Sequence, residues 1–514
     1  MNFRPYNQNQ TALFPYSFDD LIPEKHPVRI IDQVVEAIYI QPLLKTYKKE
    51  GNPSYHPKML LKVMLYAYMN NIYSSRRIEL ALRENINFMW LSSMTIVDHN
   101  TINRFRGKKL EESFKEIFKQ VVLMLADEGL ITLKQVYTDG TKIEAQANKY
   151  SFVWGKSIKT NKSKMLSQLE ELWKYAQSVA KEDGDDNNPE PPEFKEISKE
   201  VIEKTVAQID AKLTGNKNAS TKSKAKLLYI KKNFVSNLEK YEKQEAILGE
   251  RNSYSKTDPD ATFMRMKEDH MLNGQLKPGY NAQISSENQI IVHYTIHQNP
   301  TDTKTLKPHL EDFEQLYGEK ALEGLEEITA DAGYGSEENY DYLEQKQLTA
   351  FVKYNTFDKE QDKGYQQKHK AFSKENLHYD QEKDLYICPM GQPMEKTHQS
   401  KRTTAAGYEQ NLSHYQAKNC NGCPLRGQCY KAKGNRSIER NHNLERHKEQ
   451  TRKLLLSEQG IQKRKQRTAD VEPVFAQLKH NHGFRRFSLK GLKKVELEFG
   501  LMALAHNLRK KIAA

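Results

Sequence analysis

Three acidic residues in this chain stand where carboxylates are poorly suited to packing. In VYTDGTKIEAQANKY (residues 136–150), the strand-friendly Val136, Tyr137 and Thr138 run into Asp139, and Gly140 follows at once. Asp331 repeats that setting in EITADAGYGS, where a short β-prone run meets the acid and then Gly333 and Gly335. Taken alone, each reads first as a turn aspartate, since Asp-Gly and its relatives are common turn sequences. If the two strands lie side by side, both carboxylates project from one sheet edge at the strand tips. Two close anions are costly unless something positive lies between them. A divalent ion such as Mg²⁺ meets that need and leaves positions for water or phosphate.

Glu472, in QRTADVEPVFAQLKHNHGFRRF, offers a third acid. Asp470 is placed to cap a helix there and Pro473 to sit in its first turn. Val471, Phe475 and Leu478 form an apolar stripe, and Glu472 and Lys479, seven apart, share a face beside it. An acid and a base so placed can hold a metal and a phosphate together. A plain amphipathic helix with a charged border has the same pattern. Glu144 and Asp302 are further acids near these segments; the first reads as structural and the second as a loop or helix-cap residue.

The elements that must position these residues fall into blocks. The first 125 residues read as helical, with Ile30, Ile31, Val34, Val35 and Ile38 at helical spacing and Pro57 near the start of a second helix. VDHNTINRFR, between helices, is like a helix-turn-helix arrangement and offers Arg104 and Arg106 to phosphates; a helical bundle with surface arginines fits equally. Strand character begins at Gln135. Charged amphipathic segments follow from residue 155, around EDGDDNNPEPPEF, with a narrow stripe of Leu227, Leu228, Phe234, Leu238 and Tyr241. They read as an inserted helical hairpin or short bundle. Alternating strands return at 280–296 with a turn at SSEN, then a strand, loop, helix, strand run through Asp331, with Ser336 as a helix N-cap. The order is that of a mixed α/β domain.

The chain carries 80 Lys and Arg against 67 Asp and Glu, a net +13. From Lys431 to Ala514 there are 21 basic and 8 acidic residues, so the first 430 hold 59 of each. The whole excess is C-terminal, and a local basic excess points to a polyanion, most often nucleic acid. No apolar run reaches the roughly 18 residues a membrane span needs. The first 20 residues lack the apolar centre of a signal peptide, so a cytoplasmic protein is expected. Four cysteines in so long a chain are not a disulfide framework. Cys388, with Cys420, Cys423 and Cys429 in CNGCPLRGQC, supply enough ligands for a tetrahedral structural zinc site; reduced, partly buried thiols are the alternative.

Six blocks in order, TDGTKIEAQANKY, TDPDA, KPGYNAQ, NPTDTKTLKPHL, TADAGYGS and VEPVFAQLKHNHGFRRF, together resemble bacterial insertion-sequence transposases of the DDE type. HPKMLLKVMLYAYMNNIYSSRRIELAL and VDHNTINRFR resemble the helical N-terminal domain of the same proteins. The resemblance implies a ribonuclease H-like core, a mixed five-stranded sheet with helices, built from residues 131–154, 255–360 and 456–514. It implies a helical DNA-binding domain over 1–130, a charged helical insertion over 155–254, and an insertion with the cysteine cluster over 361–455. By motif, Asp139, Asp331 and Glu472 are the three acids, holding two Mg²⁺ (or Mn²⁺) ions about 4 Å apart. Lys479 matches the last position of the Y-x2-R-x3-E-x6-K signature, whose Tyr and Arg fall on Lys465 and Thr468; Arg467 is one residue off. Lys479, Arg467, Arg485, Arg486 and Lys490 would hold phosphates. The implied activity is DNA cleavage at the element's ends and strand transfer into a target. The implied partners are double-stranded DNA, both terminal inverted repeats and target, and a second copy in a synaptic homodimer. The implied location is the bacterial cytoplasm, at the nucleoid. A metal-dependent nuclease without strand transfer, and a catalytically silent DNA-binding derivative, are the competing readings.

Overall fold

The run from Gln135 forms a strand, β1 (Gln135–Glu144), that passes through Asp139 and does not stop at it. The computed structural model describes residues 17–47, 50, 52–182, 194, 196–214, 219–266, 274–318, 324–362 and 372–514. The chain divides into two compact units: residues 1–141, 281–489 and 493–514 in one, and 142–280 with 490–492 in the other. The strands after β1 are β2 (Phe152–Trp154), β3 (Ser253–Ser255), β4 (Thr262–Arg265), β5 (Leu276–Glu287), β6 (Ile290–His297), β7 (Glu327–Ala330) and β8 (Thr349–Val352).

In the first unit the strands run β6-β5-β1-β7-β8 across the sheet. β1 pairs parallel with β7, Thr138 opposite Ala330, and β7 pairs parallel with β8. β5 and β6 form the expected hairpin. Its turn is Asn288–Gln289, both at positive φ (54° and 61°), one residue beyond the reach of the SSEN reading. Positive φ at both central residues matches the right-handed twist of the flanking strands. The buried Glu287 carboxylate accepts from the Thr132 and Leu133 N–H groups, at 2.9 and 2.8 Å, which fixes the entry into β1.

The helix Leu492–Ala513 is buried along most of its length, from Val495 to Leu508. Its Asn507 side chain exchanges two hydrogen bonds with the Ile291 backbone, at 2.8 and 2.7 Å, and so occupies main-chain groups of β6. Arg509 donates to the carbonyls of Tyr68 (3.0 Å) and Met69 (3.1 Å), at the end of the helix Pro57–Met69. The cation thus meets the carbonyl end of that helix dipole. The helical reading of the N-terminal region agrees with helices at Pro27–Ala37, Pro57–Met69, Ser75–Glu84 and Phe114–Asp127.

Within the same unit, β9 (Tyr379–Asp380), β10 (Leu385–Ile387), β11 (Pro393–Thr403), β12 (Glu409–Ala417) and β13 (Ser437–Arg440) form an antiparallel sheet in the order β13-β12-β11-β10-β9. It was not legible in the sequence, where most of its residues are polar.

In the second unit, β4 pairs with the Leu276–Gly279 end of β5. The sheet therefore has six strands where five were expected, because TFMR is long enough for one short ladder. The charged insertion forms three helices, Gly155–Glu182, Lys199–Leu213 and Thr221–Leu248, sharing a core that includes Leu169, Trp173, Ile209, Ile230 and Phe234. This is a three-helix bundle and not a hairpin. Leu228, assigned to the stripe, is 66% exposed, and Ile230 takes the inward position. EDGDDNNPEPPEF lies almost wholly outside the described residues.

Candidate active site

Asp139 and Asp331 are brought together by register. β1 and β7 run parallel with Thr138 opposite Ala330, so the next residue of each chain is an acid at the end of the shared ladder. Asp139 is buried mid-strand, where a tip was expected, because β1 continues to Glu144 after β7 has ended. Each carboxylate is turned back on the glycine that follows it: Gly140 N–H donates to Asp139 Oδ1 at 2.7 Å and Gly333 N–H to Asp331 Oδ1 at 2.8 Å.

Glu472 arrives on the helix Glu458–Ala476. That helix starts twelve residues before the expected cap at Asp470. Ser457 caps it, accepting from Gly460 N–H at 3.1 Å. Asp470 is instead buried inside the helix and accepts from Ser286 Oγ (2.7 Å) and Gln289 N–H (3.2 Å). Pro473 cannot donate to the Ala469 carbonyl, and Gln289 Nε2 fills that place at 3.0 Å. The long helix survives its proline because the β5–β6 turn supplies the missing donor.

One guanidinium joins the three acids. Arg467 Nη2 lies 3.1 Å from Asp139 Oδ2 and 3.8 Å from Asp331 Oδ2, while Nη1 lies 3.1 Å from Glu472 Oε1. Arg467 is only 12% exposed at its side chain, and its Nε has no hydrogen-bond partner. Three carboxylates thus converge on a point already held by a cation.

Asp302, read from sequence as a loop or cap residue, borders the same place. It opens the 3₁₀ turn Asp302–Lys304. Its Oδ1 accepts from Asn281 Nδ2 (2.8 Å) and Gln283 Nε2 (3.1 Å). Tyr334, fully buried, donates to Gln283 Oε1. Burial, then the charges of Asp139, Asp302 and Asp331, raise the Tyr334 hydroxyl well above its ordinary value, with Arg467 opposing. The signal available beforehand was the pair of amides at alternate positions of β5, Asn281 and Gln283, on one face of the strand.

The expected phosphate ligands separate. Arg485 and Arg486 are exposed, in the segment that follows the π turn Gln477–Asn481. That wide turn breaks the seven-residue spacing, so Lys479 is buried while Glu472 is exposed, and the two do not share a solvent face. Lys490 is exposed and belongs to the second unit. Arg104 is exposed and lines a cavity of about 560 Å³ with Asn100, Asn103, Lys108 and Lys494. Arg106 is 3% exposed and donates to Tyr68 Oη (3.1 Å), the Tyr73 carbonyl (2.9 Å) and Asn103 Oδ1 (3.1 Å). Its guanidinium holds the N-terminal helices together. Glu498, fully buried, anchors the basic segment: it accepts from the N–H groups of Ser488 and Leu489, each at 2.9 Å. The sequence reading passed over it because it sits inside an apolar helix.

The cysteines lie around the antiparallel sheet, all half-buried. Gln392 N–H donates to Cys388 Sγ at 3.3 Å, Arg436 N–H to Cys420 Sγ at 3.4 Å, and Arg436 Nη1 to Cys429 Sγ at 2.7 Å. Among the described residues, no three cysteine sulfurs lie within 4.8 Å of one another; the group of such residue types that does so is Asp341, Glu344 and His447. Arg446 already grips Glu344 through two bonds of 2.7 and 2.8 Å, and Asn443 and His447 hold Asp341. That group is an ion-pair network linking two helices.

Residues 387–512 match a family model described as a transposase DDE domain, and residues 16–108 match one described as a transposase domain. Two stretches of the chain are thus similar to transposase domains, one of them of the DDE type. Glu472, Arg467, Lys479 and the cysteines fall in the first matched stretch, and Arg104 and Arg106 in the second. Asp139 and Asp331 lie in neither; β-sheet register ties them to each other, and Arg467 ties both to Glu472. No curated protein and no solved structure matches the chain. Among the described residues, no helix is long and apolar enough to cross a membrane.

Proposed function

We propose that the chain is a transposase that binds the terminal inverted repeats of its element and cuts and joins DNA phosphodiesters at Asp139, Asp331 and Glu472. The observation that carries the reading is the convergence of these three carboxylates on the Arg467 guanidinium. A cation among three acids marks a place where positive charge is required, and the all-oxygen donor set suits Mg²⁺ or Mn²⁺. Two such ions, when bound, supply an activated water or 3′-hydroxyl and neutralise charge on the phosphate and leaving oxygen. The chain's own residues hold those oxygens in place and exclude bulk water around the buried Asp139. Arg467, Arg485 and Arg486 bind phosphate, with Lys479 and Lys490 beside them in sequence, and Arg104 reads DNA from the N-terminal helices.

The strand order β6-β5-β1-β7-β8, with its two parallel pairs around β7, supports a ribonuclease H-like core interrupted by the charged bundle and by the cysteine-bearing sheet. Four half-buried cysteines, enough ligands for a tetrahedral site, support a structural zinc held by Cys388, Cys420, Cys423 and Cys429. Synapsis of two ends by a homodimer in the bacterial cytoplasm completes the reading.

The test is purified protein with Mg²⁺ and DNA carrying the element's ends joined to flanking sequence. End-specific cleavage and joined products are expected, both abolished by Asp139→Ala. Cleavage that ignores the ends, or that never yields joined strands, would leave a nuclease. Equal activity in Asp139→Ala would sink the site.

A further inference from the structure

Gly140 follows Asp139 directly and Gly333 follows Asp331 by two residues, and a fourth carboxylate borders both glycines. A Cβ on Gly140 would clash with the Gln283 amide and stand 2.8 Å from Asp302 Oδ1. A Cβ on Gly333 would stand 3.0 Å from Asp331 Oδ1 and 3.5 Å from Asp302 Oδ2. The Asp302 and Asp331 oxygens therefore border one point; a Cβ on Gly140 would crowd Asp302 and the amide that holds it, whereas one on Gly333 would meet Asp302 only at ordinary contact distance.

The surroundings aim Asp302. Asn281 and Gln283, 1% and 0% exposed, both donate to Oδ1. Gln283 Nε2 also donates to Asn281 Oδ1 at 2.9 Å, so the two amides brace each other. Thr303 Oγ1 donates to the Gly333 carbonyl at 2.9 Å, which staples the turn carrying Asp302 to the turn after Asp331. Among the described residues, Asp302 makes no ion pair and its Oδ2 accepts no hydrogen bond. A carboxylate costs free energy in such a place, beside two like charges, unless a cation answers it. Arg467 supplies one positive charge, and it is already shared by three acids.

We infer that Asp302 is a fourth metal-holding carboxylate of this site, its Oδ2 directed to a divalent ion shared with Asp331. This rests on the metal-site reading of Asp139, Asp331 and Glu472. The charge count agrees: four carboxylates, with Arg467 displaced toward phosphate, balance two divalent ions. Asp302 adds a ligand and is held by a scaffold of its own, the two amides of β5.

The experiment is a Mn²⁺ titration of the full-length protein without DNA, with free Mn²⁺ followed by electron paramagnetic resonance. Wild type, Asp139→Asn, Asp302→Asn and Asp302→Cys are compared, with melting temperatures in chelator alongside. Asp302→Asn keeps an oxygen for the two amide donors. It is expected to weaken Mn²⁺ binding about tenfold or more, with a melting temperature in chelator equal to or above wild type. Asp302→Cys is expected to favour Cd²⁺ over Mn²⁺, a switch that a structural role would not produce. Unchanged Mn²⁺ affinity in Asp302→Asn beside weakened binding in Asp139→Asn would overturn the proposal and leave the three-acid site standing. Absence of Mn²⁺ binding in wild type would overturn both. Failure of both Asp302 variants to fold would assign Asp302 to the fold and overturn the proposal as well.

Discussion

Arg467 and Asp139 form an ion pair of 3.1 Å between side chains only 12% and 8% exposed. The arginine lies on the helix Glu458–Ala476 and the acid in the middle of β1. Arg467 neutralises the acids in this structure; on the proposed reading it would stand beside the phosphate once metal binds.

Arg467→Ala is expected to lower stability by about 2 kcal/mol in chelator, since it strands a buried carboxylate beside a second one. Mg²⁺ should restore more of the melting temperature in the variant than it adds to wild type. The check is thermal melting with and without Mg²⁺. Identical melting curves for the two proteins in chelator would contradict the pairing.

Glu498→Ala removes the acceptor for the Ser488 and Leu489 N–H groups and the nearby counter-charge to buried Arg106. A loss of about 3 kcal/mol in urea unfolding is expected. DNA affinity should fall too, because the segment carrying Arg485 and Arg486 loses its anchor. A variant as stable as wild type would show that the anchor contributes little.

Burial pushes His297 and His506 each down to about 4 from an ordinary 6.5, and His309 well below it. Lys510 and Arg509 add to the effect at His506, against the Gln289 carbonyl that its ring meets. As pH falls below about 6.5 the unfolded chain takes up protons on these rings, while the folded chain keeps His297 and His506 neutral until about 4 and resists protonation of His309 as well. Stability is thus full above 6.5 and declines between 6.5 and 4. Melting temperature should drop by several degrees between pH 7.5 and pH 5, and a flat profile would refute the buried neutral histidines.

Elemental analysis of protein purified without added metal should find about one zinc per chain, lost in Cys423→Ser. A chelator strong enough to remove it should lower the melting temperature, since structural zinc contributes folding free energy. Four titratable thiols and no zinc in native protein would leave the cysteines as reduced core residues.

Sequence alone determined the local pieces, because each rests on short-range chemistry. Apolar residues at helical spacing gave the N-terminal helices, alternation gave the β5–β6 hairpin, and Ser336 capped its helix, accepting from Asn339 N–H at 3.3 Å. The matched settings of Asp139 and Asp331 were legible as well, since a strand followed by acid and glycine is a local pattern. Tertiary structure decided the rest. Asp470 and Pro473 signalled a helix start, yet Ser457 and Gln289 set its limits from elsewhere in the chain. Lys479 and Arg106 carry charge and are buried all the same, because a π turn and the Tyr68 and Tyr73 oxygens settle where they point. Asp302 is separate in sequence from both Asp139 and Asp331. The pairing of strands, the Asn281 and Gln283 amides and the bare Cα of Gly140 bring it to them. Which carboxylates share a site depends on register and close approach between distant segments, and periodicity within a segment does not encode that.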